Sequence, residues 1–445
     1  MKSVNQFISS FDIDKRLAEA DIVGSIAHTK MLCKSKIISK SDAKKIILGL
    51  EAILDDLHNG WKLPVDEDIH YAIEKELINR IGSVGGKMHT ARSRNDQVTT
   101  DLRLYLKKEL KNIKNKITHF QNTLINKAIE NIDVIMPGFT HLQHAQPILA
   151  SHYILAYAWM MQRDKERFVD CYKRIDVLPL GSAALAGTSF NIDRHYTARL
   201  LHFKNISNNS LDAVSDRDFV IEFIFCIVVM FIHLTRLCEE IILWINPEFC
   251  YITIDSKFTS GSSIMPQKRN PDYAEVIRGR FGRVLGNLIS IITVMKALPL
   301  AYNRDLQEDK ACLFDALDNT TDCLCIIDDM FRSIKFIKRK TLQSTEKGFI
   351  LATEIADYLS LHNVPFRQAH GIVQNIVLYC QQTSKDFNNL SLQEYKKFSQ
   401  VFEQDIFNYL NIDKIVNMKN SYGGTSKISV LHQIDILKQK LQYEK

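Results

Sequence analysis

Glycine and proline are missing from three long stretches of this chain, and that absence limits its possible folds more than any residue that is present. Neither occurs between Gly86 and Pro137, between Gly187 and Pro247, or between Pro299 and Gly348. These two residues are the strongest local punctuators of secondary structure, so their absence predicts long uninterrupted elements. Within the first stretch Val98, Leu102, Leu106, Leu110, Ile113, Ile117, Phe120 and Leu124 recur at steps of three or four, which is the spacing of one helical face. A helix of about 35 residues rises more than about 50 Å and needs partners of similar length to cover its apolar stripe. The runs from Ile148 to Val177, Asp216 to Ile245 and Asp272 to Lys296 show the same apolar enrichment. No alternating strand pattern competes over a comparable length. The expectation is an all-α fold built on a central bundle of long antiparallel helices.

The same punctuation suggests three domains: an N-terminal helical domain over residues 1–87, the long-helix bundle over 88–335, and a C-terminal helical domain over 336–445, where Gly348, Gly371 and the Gly423-Gly424 pair return. With 445 residues, 46% of them hydrophobic, the chain can bury a large core, and disorder is excluded as an overall description. The net charge of +6 is spread out, and lysines such as those from Lys107 to Lys116 alternate with apolar residues at helical spacing. They are expected to be solvated helix faces, with no nucleic-acid partner. Nine scattered cysteines without a C-x-x-C pair point to reduced thiols and to no structural metal. Asp12, Asp14, Lys15 and Arg16 leave no room for a signal peptide's apolar stretch, so a cytoplasmic location is expected. The charge-free run from Phe223 to Thr235, bracketed by Glu222 and Arg236, falls short of the roughly 20 residues a bilayer requires. It reads as bundle core or subunit interface, with no membrane partner.

Four breaks between the helical runs are richer in polar groups than connectors need to be. Gly261 to Asp272, GSSIMPQKRNPD, combines a glycine, two hydroxyls, two prolines, two cations and two amides ahead of Glu275. Gly138 to Pro147, GFTHLQHAQP, carries two histidines. His89 to Gln97, HTARSRNDQ, sets two arginines and two hydroxyls at the start of the first long helix. Free backbone N–H groups there already favour anions, so a carboxylate-binding corner is expected. Tyr302 to Lys310, YNRDLQEDK, is the fourth.

Together these strings resemble the signatures of the fumarase/aspartase superfamily and, within it, of the argininosuccinate lyases. The resemblance extends through Leu178 to Thr188 and Asn209 to Val220, from about Phe7 to the Gly423-Gly424 region. It implies a three-domain helical fold and a cofactor-free β-elimination that splits argininosuccinate into arginine and fumarate. In the family pattern Ser262 takes the position of the proton-abstracting base on a mobile loop. His141 takes that of the acid/base histidine, Lys268 and Glu275 fall on further catalytic positions, and Glu275 is the expected orienting carboxylate for His141. Substrate contacts implied by the same matching are Ser10, Arg94, Asn95, Thr140, Asn270, Tyr302, Gln307 and Lys310, the Ser10 alignment being looser. His144 is expected to be structural. Family members carry glycine where this chain has Ala91, and alanine resists positive φ. The resemblance further implies a homotetramer in which three subunits contribute to each site, with the apolar Phe219 to Ile232 segment buried in the assembly. The alternatives are another reaction of the superfamily, such as adenylosuccinate cleavage or fumarate hydration, and an inactive scaffold role like that of the lens crystallins derived from this family.

Overall fold

The computed structural model describes residues 7–443. Among them five helices dominate: Arg94–Glu130, Ala150–Ile175, Asp218–Ile245, Asp272–Met295 and Asp309–Ser333. The first is 37 residues long, and all eight residues of its expected stripe, Val98 to Leu124, are buried. It begins where the sequence supplies a reciprocal cap. The Asn95 N–H donates to Ser93 Oγ (3.3 Å), while the Ser93 N–H donates to Asp96 Oδ1 (3.0 Å), and each bond satisfies a donor that the first turn would leave free.

Contacts group the chain into two compact units, each gathered from three separate stretches. One comprises Met1–Lys116, Asp164–Phe231 and Arg280–Asp322. In it the aromatic pairs Tyr105–Phe314 (5.2 Å) and Phe168–Phe223 (5.6 Å) meet edge to face, a favoured geometry for buried rings. Its shorter helices Ala18–Lys34, Lys40–His58 and Ile69–Ile81 pack closely. Gly49 permits this, because a Cβ there would stand 2.6 Å from Leu77 Cδ1.

The other unit comprises Ile117–Arg163, Ile232–Gly279 and Cys323–Lys445. Phe120 meets Phe331, Tyr153 meets Trp244, and Gln121 Nε2 donates to Gln162 Oε1 (3.1 Å) between buried helix faces. Helices Ala352–Leu361 and Phe366–Thr383 enclose an apolar cluster around Tyr358, Ile376, Tyr395 and Phe402.

Two features differ from expectation. A β-hairpin, β1 (Ile135–Thr140) and β2 (Gln143–Leu149), occupies the GFTHLQHAQP break. Its alternation is broken by a bulge between Pro137 and Phe139 and by a base buried on both faces, so no period-two pattern shows in the sequence. The Asp218–Ile245 helix also runs well past the charge-free segment. By length and composition it is long enough to cross a membrane, with a mean hydropathy of 2.2 in its most apolar stretch, yet 56% of that stretch is buried inside the chain. Phe219, Phe223, Ile227, Met230, Phe231 and Leu234 form its covered side.

Candidate active site

The first unit gathers Ser10, Arg94, Tyr302, Gln307 and Lys310, five of the sequence-expected substrate contacts, around one cavity of about 150 Å³. Ser10, Arg94, Gln307 and Lys310 are fixed by bonds that explain their place. The Ser10 N–H donates to the Glu67 carbonyl (3.0 Å), and its hydroxyl donates to Asp14 Oδ2 (2.5 Å). Asp14 Oδ1 accepts from the Ile69 N–H (3.1 Å). Arg94, at the head of the 37-residue helix, directs its guanidinium toward Glu74 (3.5 Å) and Asp68 (3.6 Å). Gln307 Nε2 and Arg304 Nη2 both donate to the Ile8 carbonyl, at 3.2 and 3.0 Å. Lys310, almost fully buried, donates from Nζ to Asp309 Oδ1 (2.8 Å). Burial pushes the Asp14 carboxyl and the Tyr302 phenol above their ordinary pKa values.

The sequence did not single out Asp14, Glu67, Asp68, His70 or Arg304 for this cavity, although all five line it. The acidic Asp66-Glu67-Asp68 run before a helix start was the available signal. Arg94, Arg304 and Lys310, with His70, thus face one small space together with Asp14, Glu67 and Asp68, which suits a ligand carrying both charge signs. Asn95 does not line it. Its Nδ2 donates instead to the Ala184 carbonyl (3.0 Å).

Behind the cavity lies a fully buried network. His70 Nδ1 meets Asp21 Oδ2 at 2.6 Å and Asp101 Oδ2 at 3.3 Å, and Gln97 Nε2 donates to Asp21 Oδ2 (2.5 Å). Burial opposes a charged imidazole, but the Asp101 and Asp21 carboxylates outweigh it and raise the His70 pKa to about 10. The three donor atoms lie within 4.8 Å of one another, a spacing a metal ion could use. The buried Arg92 guanidinium already supplies positive charge to the two aspartates.

Ala91 adopts φ 59°, the left-handed conformation that a glycine would take without strain. Just beyond it, Asp96 Oδ2 accepts from the N–H groups of Gly181 (2.9 Å) and Ala183 (2.8 Å). This ties the 181–188 segment to the helix start that bears Arg94 and Asn95. Burial raises the Asp96 pKa to about 6 even against its three backbone donors. A wider cleft of about 1660 Å³ in the same unit has its main cations already engaged, as in Lys34–Asp193, Arg103–Asp216 and Arg174–Glu222.

In the second unit the hairpin presents Thr140 and His141, both exposed. Thr140 pairs with Gln143, so His141 and Leu142 form a two-residue loop, at φ 55° and 57°. Positive φ at both positions is the signature of a type I′ turn. Neither residue is one this turn favours, and left-handed backbone costs a non-glycine residue roughly 1–2 kcal/mol. Strain of that kind collects where a side chain must be presented in one direction. His141 and Leu142 line a cavity of about 570 Å³ together with Phe139, Tyr153, Trp244 and Phe249. His144 is half-buried and bonded through Nε2 to Ser344 Oγ (3.1 Å), the structural position expected of it.

The GSSIMPQKRNPD segment is also a small hairpin. Ser260 pairs with Asn270 and Gly261 with Arg269, which leaves Ser262 to Lys268 as its loop. Ser262 Oγ accepts from the N–H groups of Met265 (3.0 Å) and Ile264 (3.3 Å). Paired backbone donors of this kind stabilise negative charge on the oxygen they face. Lys268 is exposed, Asn270 half-buried, and Glu275 exposed on the helix that follows. Gly261 is not left-handed, and a side chain there would meet nothing within 4 Å, so local geometry does not require the glycine. No hydrogen bond or ion pair joins His141 to Glu275, or Ser262 to Lys268, among the described residues.

Known proteins resemble this chain along nearly its whole length. Residues 2–286 match the family model described as lyase, and residues 349–417 match that of the argininosuccinate lyase C-terminal region. Argininosuccinate lyase of Syntrophus aciditrophicus (strain SB) is 50% identical over 433 residues, covering 97% of this chain and 92% of its own length. The enzyme of the same name from Caldicellulosiruptor bescii is 51% identical over 438 residues, covering 98% and 95%. Among solved structures, EDDS lyase in complex with formate matches with a TM-score of 0.88 at 27% identity, over 97% of this chain and 87% of that one. Class II fumarase from Schistosoma mansoni matches with a TM-score of 0.78 over 94% of both chains, at 17% identity, a likeness of fold alone. With about half of all positions shared along nearly its whole length, this chain belongs to the argininosuccinate lyase family.

Proposed function

We propose that the chain cleaves argininosuccinate to arginine and fumarate by β-elimination. Half-identity to argininosuccinate lyases over nearly the full chain supports the reaction. The observation that carries the binding assignment is the cavity of Ser10, Arg94, Tyr302, Gln307 and Lys310, whose mixed cations and carboxylates suit the zwitterionic arginine half. Thr140, Asn95 and Asn270 are assigned to the remaining contacts.

Chemistry requires removal of a proton from the carbon beside a carboxylate. The electron pair left behind builds a doubly negative aci-carboxylate, then forms the C=C bond as the C–N bond breaks, and the departing nitrogen takes a proton. Ser262 is the assigned base. Its two amide donors favour an anionic oxygen, which an unperturbed hydroxyl would not sustain near neutral pH. Lys268 and Asn270 are assigned to the developing charge, where one preorganised donor is typically worth about 3–4 kcal/mol. His141 is assigned the proton for the leaving nitrogen, directly or through a partner, with Glu275 orienting it.

Because His141 and Glu275 do not meet within one chain, the full set is assigned to a homotetramer whose sites are shared between subunits. The division into residues 1–87, 88–335 and 336–445, and work in the cytoplasm, belong to the same proposal.

The test is fumarate release from purified chain, followed by ultraviolet absorbance across argininosuccinate, adenylosuccinate, malate and aspartate. Argininosuccinate alone should serve, and His141→Ala should lower kcat by about 10²–10⁴-fold. Turnover of another substrate in its place, or near-normal kcat in the variant, would overturn the assignment.

A further inference from the structure

Two buried cations share a single buried carboxylate beside the cavity. Asp309 Oδ1 accepts from Lys310 Nζ (2.8 Å), and Oδ2 accepts from Arg217 Nε (2.5 Å). Side-chain exposure is 0% for Arg217, 0% for Asp309 and 4% for Lys310. Arg217 Nη1 donates to neutral oxygens only, Thr99 Oγ1 (3.2 Å) and the Asp216 carbonyl (2.8 Å), and Nη2 is buried without a hydrogen-bond partner. The triad therefore carries one net positive charge that no bond within it offsets. Of the two cations, only Lys310 reaches the cavity.

We propose that Arg217 is a positioning residue for substrate binding: by claiming one oxygen of Asp309 it leaves the Lys310 ammonium under-neutralised and free to take a carboxylate of the substrate. Without Arg217, Lys310 and Asp309 would form a closed neutral pair. An uncompensated charge is costly to bury, and an incoming carboxylate at the cavity supplies the missing compensation. Asp14, a carboxylate of the cavity whose charge also acts on Lys310, is held by the Ser10 hydroxyl and the Ile69 N–H and is shared with the His70 imidazole, the larger of these two cationic influences on it. The inference rests on Lys310 being a substrate contact, as proposed above.

The experiment is steady-state fumarate release from argininosuccinate by the purified full chain, with assembly checked by sedimentation. Lys310→Met tests the underlying assignment and should raise KM by about 10–100-fold, the weight of a hydrogen bond to a charged group. Arg217→Met should raise KM by about tenfold or more with kcat within about threefold, and Arg217→Lys should stay near wild type. Arg217→Met with Asp309→Asn restores one net positive charge on Lys310, so KM should return to within about threefold of wild type. That recovery separates charge from structure, and it can be read even if the single Arg217→Met chain fails to fold. An unchanged KM in Lys310→Met would remove the contact assignment itself. A raised KM there, with no effect of Arg217→Met or no recovery in the double variant, would overturn the role of Arg217 alone.

Discussion

Replacing Gly181 with alanine strains the strut between the 181–188 segment and the helix that carries Arg94 and Asn95. Gly181 sits at φ 98°, and a Cβ there would lie 2.7 Å from Arg194 Cγ and 2.9 Å from both Arg194 Cδ and Ile192 Cδ1. The Arg194 stem has little freedom to move. Its Nε donates to the Leu180 carbonyl (3.0 Å), and its Nη2 to the Leu178 carbonyl (3.1 Å) and Ser207 Oγ (2.8 Å). Left-handed backbone costs alanine roughly 1–2 kcal/mol, and overpacking adds about 1–3 kcal/mol. The stiffer unfolded chain returns about 0.4–1 kcal/mol, which leaves a net loss near 3 kcal/mol. At an unfolding entropy of about 2.1 cal/mol/K per residue, a 445-residue chain loses about 1 °C of melting temperature per kcal/mol, so Gly181→Ala should melt about 3 °C lower. Since the strut also holds Ala184, the acceptor of Asn95 Nδ2, kcat/KM measured well below the melting range should fall by about tenfold. Thermal melts and fumarate release supply both readouts. A melting temperature within about 1 °C of wild type, with kcat/KM unchanged, would refute the reasoning.

Ala91→Gly should act in the opposite direction. It relieves the strain at φ 59°, so the melting temperature should rise by up to about 1 °C without loss of activity, and a fall would show that the alanine methyl contributes packing instead. His70 predicts a pH dependence. Its folded pKa of about 10 exceeds the ordinary 6.5, so the stability it contributes is complete below 6.5 and is lost progressively as pH rises through about 10. Histidine-selective NMR should show one ring titrating near 10, and a set of rings all titrating near 6.5 would exclude the charged His70 bridge.

The long helices were legible because nothing local interrupts them. Every member of the Val98–Leu124 stripe is buried as spaced, and Ala91, where glycine was the familiar residue, stands at positive φ. The hairpin was not legible, because a type I′ turn announces itself by asparagine and glycine and here consists of His141 and Leu142. The Asp218–Ile245 helix ends where the Asp216 to Ile245 run does, but its length against a bilayer was judged from the charge-free part alone, whereas Arg236, Glu239 and Glu240 continue it. In the site, Ser10, Arg94, Tyr302, Gln307 and Lys310 came from motif strings, but Asp14, Asp68 and His70 gain meaning only once distant segments meet. The amide pair on Ser262 and the carboxylate shared by Arg217 and Lys310 are likewise products of tertiary placement.

That cavity wall begins at Ser10 and closes at Lys310, which sets a timetable for the ribosome. The first 116 residues of their unit find their last partners only when Arg280–Asp322 emerges. At about 5–20 residues per second, the 206 residues between 116 and 322 take roughly 10–40 s to synthesise. Throughout that interval the nascent N-terminal helices have apolar faces without their final cover, a natural target for chaperones. A message cut short before codon 280 would yield a fragment with no place for a ligand to stabilise it.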